Sequence, residues 1–386
     1  MIAYNRQWLD ARNVRDAAAN WHSKHLVSPA TWQAIQVRYP VGFYSPNVFI
    51  RIGLGIFCWI LVSSVGGLAA LFVSMTSLDS LPFIGLLLVL FSACTFAMLE
   101  FFVRSRHHHG SGIDDVLLYL GAAQLVGGLC LVFSSFNGPL PYFCLALPVL
   151  TAGAVRYADT LLTALACACA LAIVFLVFKE TDFLMPGVLP FVGILFSGAG
   201  YWLAQRKKQD IGWRFWSANL RVVETMGLVV FYLSGNFWVL QYVGREFLGV
   251  YSVSFAWFFW IFTFAVPVLY VYGGLHRRDR LLLWVGLGGV GMAVFTFRYY
   301  FQVLPLAGAA TLGGVLLLAL AYFCIRRLKK GGLPFTYTND DTGGPLLPEA
   351  ESLLVAQAFG SQTAVPGEGL SFGGGKFGGG GAGGSY

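Results

Sequence analysis

Residues Phe49–Phe72, FIRIGLGIFCWILVSSVGGLAALF, carry one charge, Arg51, near the start of an otherwise apolar run. Crossing the hydrocarbon core of a bilayer takes about 17–25 mostly apolar residues in a helix, and this run has that length. Working outward from it, ten such segments follow one another: 52–75, 82–103, 116–135, 141–155, 160–178, 187–205, 224–243, 251–273, 281–297 and 306–325. The fourth is the shortest and carries Pro148, so eight to ten is the expected range. The expected fold is all-α, a polytopic transmembrane helical bundle of about ten spans.

Composition agrees. Of 386 residues 57% are hydrophobic and 11% charged, against about 25% charged in soluble domains. The net charge of +7 invites a nucleic-acid reading, but the cations sit in short loops between apolar runs, where they act as topology signals. No nucleic-acid partner is expected. The seven Cys all fall inside apolar runs, which fits small buried hydrophobes better than a disulfide framework.

Charge placement sets the orientation. With ten spans and the N-terminus inside, all of the 25 Lys and Arg except Lys179, Arg245 and Arg298 fall on the cytoplasmic side. Basic residues are retained on that side during insertion, so both termini are expected in the cytoplasm. No apolar segment of the signal-peptide kind follows Met1.

Three regions are expected: a cytoplasmic amphipathic hairpin (1–47), the bundle (48–328) and a disordered Gly-rich tail (329–386). In the first, Trp8, Ala11, Val14, Ala18 and Trp21 share one helical face. Ser28-Pro29 is a helix-start signal, and Trp32, Ile35 and Tyr39 form a second stripe. This apolar face rests on the membrane surface and inner loops, or docks a partner through Trp8, Trp21 and Trp32. The tail ends in SFGGGKFGGGGAGGSY, 371–386. It cannot bury enough surface to fold, yet Phe372, Phe377 and Tyr386 are suitable anchors for a protein that binds an extended chain.

Inside the bundle few groups carry chemistry. His107, His108, His109, Asp114 and Asp115 are metal-ligand types, but consecutive His side chains diverge, and a solvated spacer loop is the plainer expectation. Gly286-Leu-Gly288-Gly289-Val-Gly291 matches the dinucleotide fingerprint only inside an apolar span, where glycines serve helix packing. No cofactor or metal is expected. Glu100 and Glu224 have Arg104 and Arg221 at helical spacing as partners. Ser234, Asn236 and Pro267 are intramembrane polar or helix-distorting residues that glue helices together or line a small cavity. Arg206, Lys207, Lys208, Trp213, Arg214 and Trp216 suit an in-plane helix on anionic lipid, the bilayer being the first partner.

Two resemblances add to this. AANWHSKHLVSPATWQAIQVRYP (18–40) followed by 49–72 resembles the start of an uncharacterised family of bacterial multi-pass proteins. Those open with a cytoplasmic helical hairpin and a Gly-rich first helix, which implies a bacterial cytoplasmic (inner) membrane. FGGGKFGGGGAGGSY is similar to the endings of membrane-anchored TPM-domain proteins, with Tyr386 in place of their Trp. This implies that something shared recognises such tails. The leading expectation is a non-enzymatic scaffold or accessory subunit that docks a protein partner through hairpin and tail. A carrier of a small neutral or weakly polar solute comes second, and a membrane-embedded enzyme third.

Overall fold

The computed structural model describes residues 2–75, 80–180, 187–249 and 252–301, with the isolated positions Thr311, Gly314, Val315, Leu318, Tyr322 and Arg326. The tenth expected span therefore lies almost wholly outside the described residues, and the tail with Phe372, Phe377 and Tyr386 entirely so. Among the described residues every regular element is helical.

The chain opens with α1 (Arg6–Ser23) and α2 (Pro29–Arg38). Ser28 caps α2 by accepting from the Thr31 N–H at 3.2 Å, with Pro29 in the first helical position. Asn47 then caps α3 (Val48–Ser74), accepting from Ile50 N–H at 3.0 Å. The bundle continues through α4 (Leu81–Ser105), α5 (Ile113–Val132), α6 (Leu140–Tyr157), α7 (Thr160–Glu180) and α8 (Leu189–Lys208). It goes on through α9 (Ser217–Gly235), α10 (Phe237–Leu248), α11 (Ala256–Arg277) and α12 (Arg280–Tyr300). Seven of these, α3 to α7 with α11 and α12, are long and apolar enough to cross a membrane, and the bent pair α9–α10 makes an eighth. The protein is an all-α, multi-pass helical bundle.

Neighbours in sequence pair in space: α4 with α5, α6 with α7, α8 with α9, and α11 with α12. Small residues permit the close approaches. A Cβ on Gly85 would lie 2.6 Å from Val132 N, and one on Gly128 2.8 Å from Gly85 O. Ser92 Oγ donates across this seam to Gly121 O at 2.9 Å. Without a hydrophobic drive between helices in lipid, such close packing and interhelical hydrogen bonds hold the pair. In the fingerprint-like stretch Gly286 and Gly289 meet Val271 and Pro267 of α11, whereas Gly288 and Gly291 have nothing within 4 Å among the described residues. Gly286 and Gly289 are a packing seam.

The seventh expected span, 224–243, is not one straight crossing. α9 begins earlier, at Ser217, and stops at Gly235; α10 leaves at 77°. Asn236 sits at the corner in extended conformation and is fully buried. Its backbone ends one helix and its side chain starts the next.

Candidate functional site

At one end of the bundle the hairpin is docked on its own chain. Ala3 N–H donates to Arg156 O at 2.8 Å, and Arg214 pairs with Asp10 at 2.7 Å. Trp8 stands edge-on to Phe43 and His107, Tyr4 packs on His109, and Trp32 stacks on His22. Trp8 and Trp32 are thus half-buried against their own chain, and Trp21 is exposed.

The stretch His108–Asp114 is packed, not the solvated spacer expected from its polarity. Asp114, 2% exposed, accepts from Gly110 N–H, Ser111 N–H and the Ser111 hydroxyl at 2.7–2.9 Å. This carboxylate folds the loop around itself. His108 is tied to Ser111 Oγ at 2.7 Å, and Asp115 pairs with Arg51 at 2.6 Å, so Arg51 is held in place and does not reach freely for the interface. Among the described residues no three His, Cys, Asp or Glu converge as metal ligands. Burial and the nearby Asp114 and Asp115 raise the Tyr4 hydroxyl above its ordinary range.

Arg12 donates to His109 Nδ1 at 2.9 Å. An arginine can only donate, so Nδ1 is unprotonated and the ring is neutral. Burial first, and the Arg12 charge second, push His109 down to about 4, and burial lowers His108 too. An unfolded His titrates near ~6.5, so from about pH 6.5 down to about 4 the unfolded chain binds more protons than the folded one. The stability is fully present above that window and lost as pH falls through it. Purified protein is expected to lose several degrees of unfolding temperature between pH 7 and pH 5. His109→Asn, which keeps an acceptor for Arg12, should lose clearly less; equal losses would show that His109 is not the group responsible.

The loop after α8 is also not the in-plane lipid helix expected of it. α8 runs on through Arg206, Lys207 and Lys208, leaving only a short 3-10 turn, Ile211–Trp216, before α9. Trp216 Nε1 donates to Val155 O at 2.8 Å, Arg206 stacks on Trp202 and Lys207 on Trp213. Lys208 pairs at 3.0 Å with Glu224, which is 2% exposed, and this replaces the expected Arg221 partner. Glu100 keeps Arg104 at 2.7 Å but adds Arg156 Nε and the Tyr157 hydroxyl, both at 2.7 Å. Removing one partner of a buried pair leaves the other uncompensated. Lys208→Met is expected to cost roughly 2 kcal/mol, less than a fully buried pair because Lys208 reaches solvent. The double variant Lys208→Met with Glu224→Leu should recover most of it in the same unfolding assay.

At the opposite end lies a cavity of about 420 Å³, formed where the α9–α10 pair bends. α7 contributes Leu171, Val174 and Phe175, and α10 one face: Val239, Leu240, Val243, Gly244 and Leu248. Ser234 of α9 faces Gly193 of α8; a Cβ there would lie 2.6 Å from the Ser234 Oγ. Ser252 and Ser254, both exposed, line the mouth, and Phe259 of α11 completes the wall.

The corner is held by a buried polar network. Asn236 Nδ2 donates to the Tyr232 hydroxyl at 3.0 Å and to Thr296 Oγ1 at 3.1 Å. The Tyr232 hydroxyl donates to Gly289 O at 3.0 Å. Asn236 Oδ1 accepts from Trp238 N–H and Val239 N–H, while Phe237 N–H goes to Thr263 Oγ1 at 3.0 Å. Outside the corner Trp238 stacks on Tyr242, Phe237 stacks on Trp260, and the Tyr300 hydroxyl donates to Gln241. Such aromatic clusters are typical of membrane–water interfaces. Pro267 is buried within α11 against Gly289 and does not line the cavity; nor does Asn236, which braces its wall.

Of the expected intramembrane residues, then, Ser234 reaches the cavity and Asn236 positions it. The α10 residues that form most of one wall were hidden in an apolar run. Gly235-Asn236, a helix-stop residue followed by an N-cap residue, is the local signal for the break, and 239, 240, 243 and 244 share one helical face. No family model, curated protein or solved structure matches this chain.

Proposed function

We propose that the protein is a carrier in a bacterial cytoplasmic membrane that binds a small, weakly polar solute in the cavity beneath α10. The observation that carries this reading is the cavity at a helix break. Non-helical backbone at membrane depth is tolerated where it lines a cavity, and discontinuous helices near the binding site recur in transporters. The volume falls in the range of small-molecule sites, roughly 300–1,000 Å³.

The hairpin end faces the cytoplasm in this reading. It is supported by the basic ends of α4, α6 and α8 meeting there, against Arg245 and Arg298 at the α10 end. Proteoliposomes loaded with a panel of labelled neutral solutes test the proposal. At least one solute should exchange faster than in empty-membrane controls, and Val243→Phe, which fills the cavity, should abolish the excess. A panel with no excess flux would overturn the carrier reading.

A second reading, a scaffold that docks a protein through the hairpin and through Phe372, Phe377 and Tyr386, is favoured by the exposure of Trp21, Leu26 and Val37. Cross-linked pull-down from native membranes, comparing the full chain with one ending at Leu370, separates the two. A partner lost on truncation belongs to the scaffold.

A further inference from the structure

The chemistry of the cavity narrows its ligand, resting on the reading of that cavity as a binding site. From its lining we propose that it holds an uncharged, mainly apolar molecule with a hydroxyl at one end, the hydroxyl lying between Ser234 and the C-terminal end of α9.

Among the described residues the lining includes no ionisable side chain; apart from three serines these are apolar or glycine. An ion brought there would lose its hydration with no opposite charge to replace it, which is costly in an apolar site. The break itself discriminates further. A helix start normally leaves its first N–H groups free and attracts anions. Here they are all taken: Asn236 N–H by Leu233 O, Phe237 N–H by Thr263 Oγ1, and Trp238 and Val239 N–H by Asn236 Oδ1. The start of α10 is therefore closed to a carboxylate or phosphate.

The end of α9 is open by contrast. Leu233 and Ser234 line the cavity, and the Ser234 and Gly235 carbonyls receive no hydrogen bond among the described residues. They form the negative end of the α9 dipole. A hydrogen-bond donor is welcomed there. The first turn of α8 faces the same space, with Pro190 lacking an N–H. A hydroxyl suits this setting, because it donates to the α9 carbonyls while accepting from Ser234 Oγ or the remaining α8 N–H groups. Gly193 keeps the space beside Ser234 clear. The apolar body then lies along Leu171, Val174, Val239 and Val243.

Three ten-carbon probes that differ only in their ends test this: 1-decanol, decanoate and decylamine. Unfolding temperature is measured for the full chain in lipid nanodiscs, each probe referred to the cavity-filled Val243→Phe variant so that effects on the bilayer cancel. Should that variant fail to fold, Leu171→Phe fills the cavity from the opposite wall. Decanol is expected to stabilise the wild type, with decanoate and decylamine binding about tenfold more weakly or less, the discrimination of a site built for a hydroxyl. Ser234→Ala should weaken decanol severalfold. If decanoate or decylamine matches decanol, or Ser234→Ala binds decanol unchanged, the hydroxyl assignment falls while the cavity stands as a binding site. If no probe distinguishes wild type from the filled variants, the cavity reading falls with it.

Discussion

Asn236→Leu is expected to destabilise the folded protein by about 4 kcal/mol, as the sum of a lost N-cap that leaves two N–H groups unpaired and of two lost hydrogen bonds to buried hydroxyls. The substitution keeps the number and branching of heavy atoms and adds hydrophobicity, so a straight membrane span would be unharmed or strengthened by it. Here the Asn236 side chain accepts from Trp238 and Val239 N–H and donates to Tyr232 and Thr296, all within a fully buried corner. Leucine leaves those N–H groups without a cap and takes the amide away from both hydroxyls, which keep only their bonds to the Gly289 and Met292 carbonyls. Asn236→Ser keeps a capping oxygen and should lose about half as much. Reversible unfolding in bicelles or mild detergent reads both. A leucine variant as stable as wild type would mean that the corner is not held by this network. In the carrier reading the same change also removes the bend, and flux with it.

Gly112→Ala should be about as damaging, again near 4 kcal/mol, from backbone strain and overpacking together. Gly112 has φ of +89°, a conformation that side chains rarely adopt, and a Cβ there would run into the Arg51 carbonyl and lie 3.1 Å from Gly55 N. The start of α5 therefore meets the start of α3 backbone to backbone. Separating them would also pull Arg51 from Asp115. Gly55→Ala is the control, since its Cβ would meet Gly112 O at 3.5 Å, an ordinary contact. It should cost under about 1 kcal/mol, because the added methyl finds room and a helix interior favours Ala over Gly. Equal losses for the two variants would place the effect in general helix crowding instead.

Much of the architecture was legible in the chain. The expected spans from 52–75 to 281–297 fall on helices α3 to α12 in order, although α8, the sixth, is not among those apolar enough to cross, and Ser28-Pro29 starts α2 where its capping chemistry requires. The glycine-rich stretch at 286–291 packs helices, as its apolar setting implied. What was misread shares one character. Arg206–Trp216 looked like a lipid-facing helix and His107–Asp114 like a spacer, because their residues are polar and loop-borne. Their actual partners, Asp10, Val155 and the hairpin aromatics, are distant in sequence.

That this chain belongs in a membrane, and where its helices lie, follows from the order of its residues. Transfer to lipid is a sum over consecutive residues, and helical hydrogen bonds close within four of them. Only the tertiary structure decided which groups meet: Glu224 with Lys208, Glu100 with Arg156, Asn236 with Thr296. It also decided that the seventh span bends and that the bend encloses a cavity. Those outcomes depend on how helices far apart in the chain share space. Hydropathy along the chain carries no such information, because a buried polar side chain and a stranded one have the same sequence neighbours.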